Sequence, residues 1–282
     1  MDVVTSIKEL RQRINLAPRP IGLVPTMGAL HEGHLSLMRR ARVDSATVVA
    51  TIFVNPTQFT PTEDLTRYPR DLKADLKLLQ GNGVDVVFCP SADEVYPPGF
   101  VTTVEVRGPA LPLEGEARPD HFPGVATVMT KLLLVSAPDV AYLGQKDAQQ
   151  AAVIKRLVVD LDISVHVEVC PTVREPDGLA MSSRNAYLSF EQRAAAPVIL
   201  GALSAAQARY KSGELSRQTL ERTCREMLEA EPLIGAIDYV AVVDSCSFTK
   251  AADSLGAQLV TLVVAVRIGS TRLIDNVELK PE

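Results

Sequence analysis

Two of the four histidines in the sequence stand three positions apart, in Pro25-Thr26-Met27-Gly28-Ala29-Leu30-His31-Glu32-Gly33-His34. Imidazoles at that spacing, with a glycine between them, can face one polyanion together. They sit where an apolar run gives way to a helical pattern, and the unpaired backbone N–H groups of a helix start favour phosphate at the same place. A zinc reading competes, but the metalloprotease pair needs histidines at i and i+4 with a catalytic glutamate, and here the spacing is one short. No metal-ligand set is therefore predicted. The plainer alternative is a loop with two incidental histidines.

Three further stretches carry groups suited to a phosphorylated ligand. Asp177-Gly178-Leu179-Ala180-Met181-Ser182-Ser183-Arg184-Asn185 gathers two hydroxyls and a guanidinium beside a glycine. Hydroxyls donate to phosphate oxygens and arginine forks onto two of them, so the loop could close over a departing pyrophosphate. Taken alone, Ser-Ser-Arg is equally an ordinary solvated turn or a helix cap. In Tyr142-Leu143-Gly144-Gln145-Lys146-Asp147, Gly144 permits close backbone approach and Lys146 offers a point charge. Asp147 can cap a helix or accept from a ribose hydroxyl, and Gln150 lies one turn on. Asn55 and Gln58 could hydrogen-bond an uncharged part of a substrate, although isolated amides are more often turn residues. Arg118 and His121 form a basic pair in a proline-rich stretch, which reads as a surface loop unless it folds over the site.

These groups need a scaffold that brings them together. Ile21 to Thr26 reads as a strand, and a helix rich in Arg and Ala follows His34. Ala46 to Val54 is a β-branched strand ending at the turn Asn55-Pro56. Leu72, Leu76 and Leu79 make a helical stripe that Gly81 and Gly83 terminate before a strand over Val84 to Phe88. Val125 to Val135 is helical, Val140 to Leu143 a strand, Asp147 to Val159 helical and Val165 to Val169 a strand. Five strands alternating with helices predict an α/β fold with a mostly parallel, Rossmann-like sheet, whose ligand site lies beyond the carboxyl ends of the strands. After Val173 the pattern changes to a long helix over Phe190 to Lys211 and a second near Thr219 to Ala230. Strands over Ile237 to Val243 and Leu259 to Val266 follow. That order predicts a smaller α+β lobe, with domains at 1–172 and 173–282.

Composition sets the outer limits. The chain has 282 residues, 46% of them apolar and 22% charged, which is a globular balance. A net charge of −5 offers no diffuse basic surface, so neither nucleic acid nor a membrane is an expected partner. The four cysteines include no CxxC pair and read as reduced thiols, and no stretch resembles a signal peptide or a membrane span. A cytoplasmic address is expected. No Gly-x-x-x-x-Gly-Lys loop, Gly-x-Ser-x-Gly elbow or Gly-x-Gly-x-x-Gly fingerprint occurs, which leaves a nucleotidyl-transfer site.

With Pro25 to Gly28, Phe53 to Phe59, Tyr68-Pro69-Arg70, His121-Phe122, Gly144 to Gln150, Asp177 to Asn185 and Arg272 to Asn276, the chain resembles the pantothenate synthetase family. These are AMP-forming pantoate–β-alanine ligases, in the nucleotidyltransferase superfamily related to class I aminoacyl-tRNA synthetases. The resemblance implies a carboxy-terminal lobe that acts as a lid, a homodimer, and three small-molecule substrates: ATP, pantoate and β-alanine. Mg²⁺ would travel with the nucleotide. It further implies that His31 and His34 bind the ATP phosphates, with His34 as proton donor, and that Met27 and the backbone from Gly28 line the phosphate site. Lys146 would contact phosphates, while Gly144, Gln145 and Asp147 would lie along the nucleotide with Gly144 and Asp147 at the ribose. The backbone at Val173 and Met181 would meet adenine, and Ser182, Ser183 and Arg184 would take the place of the synthetase KMSKS loop. Gln58 and Gln150 would hold pantoate, with Asn55 and Arg118 close by. One departure is visible: Gln145 stands where a glutamate is expected. Two other readings stay open, a nucleotidyltransferase acting on a phosphorylated acceptor and a non-catalytic nucleotide sensor.

Overall fold

The structure, a computed structural model, describes residues 1–59, 65–256 and 258–280. Its first sheet has six strands: β1 (Asp2–Val4), β2 (Ile21–Thr26), β3 (Thr47–Ile52), β4 (Val86–Phe88), β5 (Val140–Gly144) and β6 (His166–Cys170). They run in the order β1-β4-β3-β2-β5-β6, every pairing parallel. The connections include α1 (Ile7–Leu16), α2 (Glu32–Asp44), α3 (Leu72–Gly81), α4 (Ala92–Val95), α5 (Glu114–Ala117), α6 (His121–Ser136) and α7 (Ala148–Asp160). Ile21 and Leu23 of β2 pack with Leu10 of α1, Leu133 of α6 and Ile154 of α7 on one face. Val24 packs with Met38 of α2 and Leu79 of α3 on the other. Burial on both faces explains why the central strands read as unbroken apolar runs.

The second lobe contains α8 (Phe190–Ala195), α9 (Val198–Lys211) and α10 (Arg217–Glu229), then β7 (Ile234–Asp244), β8 (Val260–Ile268) and β9 (Thr271–Leu279). These three strands form an antiparallel sheet in the order β7-β8-β9. Leu203 of α9 and Leu220 of α10 pack on one face of it, against Val242, Leu262 and Val264. The opposite face presents Val263 and Val243 to Ala148 and Ala152 of α7, so the two lobes share a small apolar cluster.

Most of the predicted elements appear, with differences that have physical causes. The single helix expected over Phe190 to Lys211 is two, because Pro197 has no N–H to continue the ladder and its ring obstructs the preceding turn. The strand β1 is only three residues long, too short to show alternation, yet it completes the edge of the sheet beside β4. In β9 the adjacent residues Asp275 and Asn276, on opposite faces of the strand, are both buried and both polar, which breaks the apolar pattern a strand reading relies on. Arg118 lies in the short turn between α5 and α6 with its side chain largely covered, and His121 begins α6 and is buried. Among the described residues, no helix is long and apolar enough to cross a membrane.

Candidate active site

The chain order reverses direction between β2 and β5: β3 and β4 lie to one side, β6 to the other. A crevice forms outside the carboxyl ends of the strands at such a switch point. Here it is opened further because β2 and β5 pair only over Gly22–Leu23 and Val140–Ala141 before parting. The cleft beyond is lined by Met27, His31 and His34 after β2, by Gly144, Lys146, Asp147 and Gln150 after β5, and by Val173 and Met181 to Arg184 after β6. Asn55, Gln58 and Arg118 line it as well. Gly28 and Gln145 are the two expected site residues that do not.

The histidine turn is built locally. Thr26 Oγ1 donates to Thr51 O at 2.6 Å and accepts the Gly28 N–H at 3.2 Å, closing the end of β2. Gly28 and Ala29 then take positive φ values of 81° and 51°. The glycine carries this without strain and the alanine does not. Asp75 of α3, 4% exposed, compensates by accepting the Ala29 N–H at 3.0 Å and the Leu30 N–H at 2.9 Å. His31 follows as the N-cap of α2.

Hydrogen bonds fix the tautomer of both imidazoles. His31 Nδ1 accepts the Gly33 N–H at 3.2 Å, and His34 Nδ1 accepts the His31 N–H at 3.3 Å. A neutral ring whose Nδ1 accepts must carry its proton on Nε2. Both rings therefore offer an Nε2–H donor, with centroids 4.1 Å apart. Both are neutral at pH 7: burial first and Lys146 second hold His31 down to about 4, and burial first and His31 second hold His34 down to about 3. Gly33 is required between them, since a Cβ there would lie 2.9 Å from the His31 ring. That Cβ would also stand 3.8 Å from Met181 Cβ, which places the downstream loop against the histidine turn.

Lys146 and Asp147 lie in a 3-10 turn, Gln145–Asp147, between β5 and α7. Asp147 makes no cap with its side chain; it faces Lys146 Nζ at 3.5 Å instead. Burial within the cleft raises its pKa, but Lys146, and then Arg184, more than offset that and hold the carboxyl below its usual range. The side chain is nonetheless 47% exposed, so it lines the cleft in contact with solvent. In the third loop Gly178 turns at φ 95° to close the bridge between Arg174 and Ala180, and Ser182 caps the short 3-10 helix Ser183–Tyr187. Tyr68 Oη lies 3.3 Å from Ser183 Oγ.

The amides divide by what they already bind. Asn55 is fully engaged: its Nδ2 donates to Gln58 Oε1 at 3.0 Å and Gly124 O at 3.2 Å, and its Oδ1 accepts from Tyr96 Oη at 2.8 Å. It orients Gln58 and offers nothing outward. Gln58 is also held through its backbone carbonyl, which accepts from His121 Nδ1 at 3.0 Å and from Arg118 at 3.5 Å. Its Nε2 points to Met27 Sδ at 3.2 Å, inside the cleft. Gln150 lines the same cleft with no hydrogen-bond partner for its amide among the described residues.

Sequence reasoning missed Asp75, Tyr96 and Gly124 as supports of the site. Gly124 admits the Gln58 turn against α6, because a Cβ there would meet Thr57 O at 2.3 Å and Gln58 N at 2.6 Å. Only the glycine itself could have flagged that approach. The seam between the lobes is also pinned by a buried ion pair: Arg272 of β9 donates to both oxygens of Glu114 at 2.8 and 2.6 Å, and Tyr239 Oη adds a bond at 2.7 Å. Burial would raise the Glu114 pKa, but the Arg272 guanidinium holds it below its usual range.

Comparison with known proteins agrees with this arrangement. The family model described as pantoate-beta-alanine ligase matches residues 2–278. A protein named pantothenate synthetase from Roseiflexus sp. (strain RS-1) is 55% identical over 276 residues, covering 98% of each chain. The crystal structure of pantothenate synthetase from Thermus thermophilus superimposes with a TM-score of 0.94 at 47% identity, covering 100% of both chains. The pantoate-beta-alanine ligase of Francisella tularensis, solved in complex with beta-gamma ATP and beta-alanine, gives a TM-score of 0.81 at 35% identity, covering 100% of this chain and 99% of that one. Sequence, fold and cleft thus carry one answer: the chain belongs to the pantoate–beta-alanine ligase family.

Proposed function

We propose that this cleft joins pantoate to β-alanine at the expense of ATP, giving pantothenate, AMP and pyrophosphate through a pantoyl-adenylate. A pantoate carboxylate oxygen attacks the α-phosphorus, the new P–O bond forms as the bond to the β-phosphate oxygen breaks, and pyrophosphate leaves. The amine of β-alanine then attacks the adenylate carbonyl, the C–N bond forms, AMP departs with the bonding pair, and the amine nitrogen gives up its proton. No covalent enzyme intermediate is required. The observation that carries the reading is the pair of Nε2–H donors on His31 and His34, sharing a cleft with Lys146 and the Ser182-Ser183-Arg184 loop.

In this reading the two imidazoles and Lys146 stabilise charge as it moves onto the leaving pyrophosphate, the kind of preorganised donor set that contributes most to such transfers. His34, neutral and already accepting at Nδ1, gives the leaving pyrophosphate a hydrogen bond from its Nε2–H and keeps that proton. Ser182, Ser183 and Arg184 close over the phosphates, Gly144 and Asp147 hold the ribose, and the backbone at Val173 and Met181 meets adenine. Gln58 and Gln150 hold the pantoate hydroxyls, with Arg118 beside them. Mg²⁺ brought by the nucleotide would neutralise phosphate charge, and Asp147, the carboxylate lining the cleft, could accept from one of its waters. We divide the chain at Thr172 into a domain for ATP and pantoate, 1–172, and a lid, 173–282. The enzyme works as a homodimer, and its four separate thiols suit the reducing cytoplasm.

The test is exchange of labelled pyrophosphate into ATP together with AMP release. Exchange should require pantoate and not β-alanine, and AMP should accumulate only with both. Exchange that needs both substrates would replace the adenylate with a concerted path, and ATP binding without AMP under any condition would reduce the protein to a sensor.

A further inference from the structure

Strand β9 belongs to the second lobe, yet two consecutive residues on it reach into both of the later phosphate-facing loops. Asn276, 5% exposed, donates both hydrogens of its Nδ2: one to Gln145 O at 2.9 Å and one to Lys146 O at 3.0 Å. Its Oδ1 accepts from Gln145 Nε2 at 3.3 Å. Asp275, 4% exposed, accepts from both ends of the Arg174 guanidinium at 2.6 and 3.0 Å. Arg174 also donates to Gly178 O at 3.1 Å, at the base of the loop that leads to Ser182. Asp275 Oδ1 further accepts the Asn276 N–H at 2.8 Å, so the two side chains are fixed relative to each other.

Among the described residues, the Lys146 turn has no comparable support from its own lobe. Gly144 precedes it with no side chain, Asp147 supplies no cap to α7, and the Asp147–Lys146 contact is internal to the turn. The carbonyls of so short a 3-10 turn keep a free lone pair each, and where water is excluded a side-chain donor can fix the turn through them. A planar amide with two N–H groups satisfies both at once; no carboxylate, hydroxyl or apolar side chain of that size can.

We propose that Asn276 is a positioning residue for ATP: it sets where Lys146 stands relative to the Ser182-Ser183-Arg184 loop, with Asp275 and Arg174 holding the other side of that spacing. This rests on the reading of the cleft as an adenylating site. The strand that carries Asn276 is thereby part of the phosphate site, although Asn276 touches no substrate.

The decisive variant is Asn276→Asp, which keeps shape and volume but removes both donors and turns an anion toward two carbonyl oxygens. The KM for ATP should rise about tenfold or more, and the pyrophosphate-exchange rate should fall by a similar factor, the scale of two buried groups left without partners. The KM for pantoate should stay within about twofold, and release of AMP from preformed pantoyl-adenylate by β-alanine should be unchanged. If Asn276→Asp does not fold, Asn276→Ser, with one donor left, carries the test with an intermediate rise. An ATP KM and exchange rate within about twofold of the unmodified enzyme would overturn the proposal. So would a parallel rise for all three substrates tracking a lower Tm, which marks a purely structural role. Failure of the underlying reading is distinct: the unmodified enzyme would then make no AMP from pantoate and β-alanine.

Discussion

The histidine turn and the lysine turn do the same kind of work at neighbouring strand ends, yet they are held in opposite ways. His31 and His34 are fixed by their own backbone and by Asp75 of α3, all within the first lobe. Lys146 is fixed by Asn276, 130 positions away on the second lobe. The first turn is therefore held by contacts inside its own lobe, and the second draws its support across the seam. A cleft assembled this way has one half held within the first lobe and makes the other half conditional on the seam.

The largest effect expected on the self-contained half comes from His34→Ala. Removing one of the two Nε2–H donors should lower the rate of adenylate formation by about a hundredfold or more, as loss of a preorganised charge partner does, with little change in Tm. Single-turnover formation of pantoyl-adenylate measures it, and normal turnover would remove His34 from the mechanism. Next is Asp75→Ala, which touches no substrate but leaves the Ala29 and Leu30 amides without acceptors beside a positive-φ turn. The cost of two buried donors should appear as a lower Tm and an exchange rate reduced by about tenfold. If activity falls while Tm holds, Asp75 acts on the site and not on the fold.

The difference between the two turns also explains what could be read from the sequence. The histidine pair was legible because all its determinants lie within a few positions of each other: a strand, two glycines, the His spacing and a helix start. The sheet was legible because burial on both faces writes apolar runs into β2 and β3. The supports that are far apart in sequence left no local signal. Asp75 reads as one more charge on α3, Tyr96 as an isolated aromatic, His121 as half of a basic pair on a loop, and Asn276 as part of a motif with no stated role. Asn55 shows the converse: its type suggests a ligand contact, while its amide is already bonded to Gln58, Gly124 and Tyr96. Position along a loop identifies candidates; only the partners of each polar atom say which of them are free to act.

The neutral state of the histidine turn makes a smaller prediction, on pH. The folded protein keeps His31 and His34 unprotonated down to about 4 and about 3, against an ordinary value near 6.5. Below pH 6.5 the unfolded chain binds protons that the folded chain refuses, so stability must fall as the pH drops from 6.5 toward 4. The Tm of the ligand-free protein should therefore decline between pH 7 and 5. The decline should be shallower in a His31→Gln, His34→Gln double variant, which has nothing to titrate there. Parallel declines would place the acid sensitivity elsewhere.

The smallest effect belongs to the one position where this chain departs from the expected pattern. Gln145 donates from Nε2 to Asn276 Oδ1 at 3.3 Å, a long bond at the edge of the seam. In Gln145→Glu that donor becomes an acceptor, and Asn276 cannot flip to meet it because both its hydrogens already serve the carbonyls of Gln145 and Lys146. The glutamate must turn away from Asn276, which it can do because the position is partly open to solvent. One marginal hydrogen bond is lost while the two that hold the turn remain, so the KM for ATP should rise by no more than about threefold. A rise of about tenfold or more would show that the charge at this position acts on Lys146 directly, and that the lysine turn depends on its electrostatics as well as on the geometry Asn276 imposes.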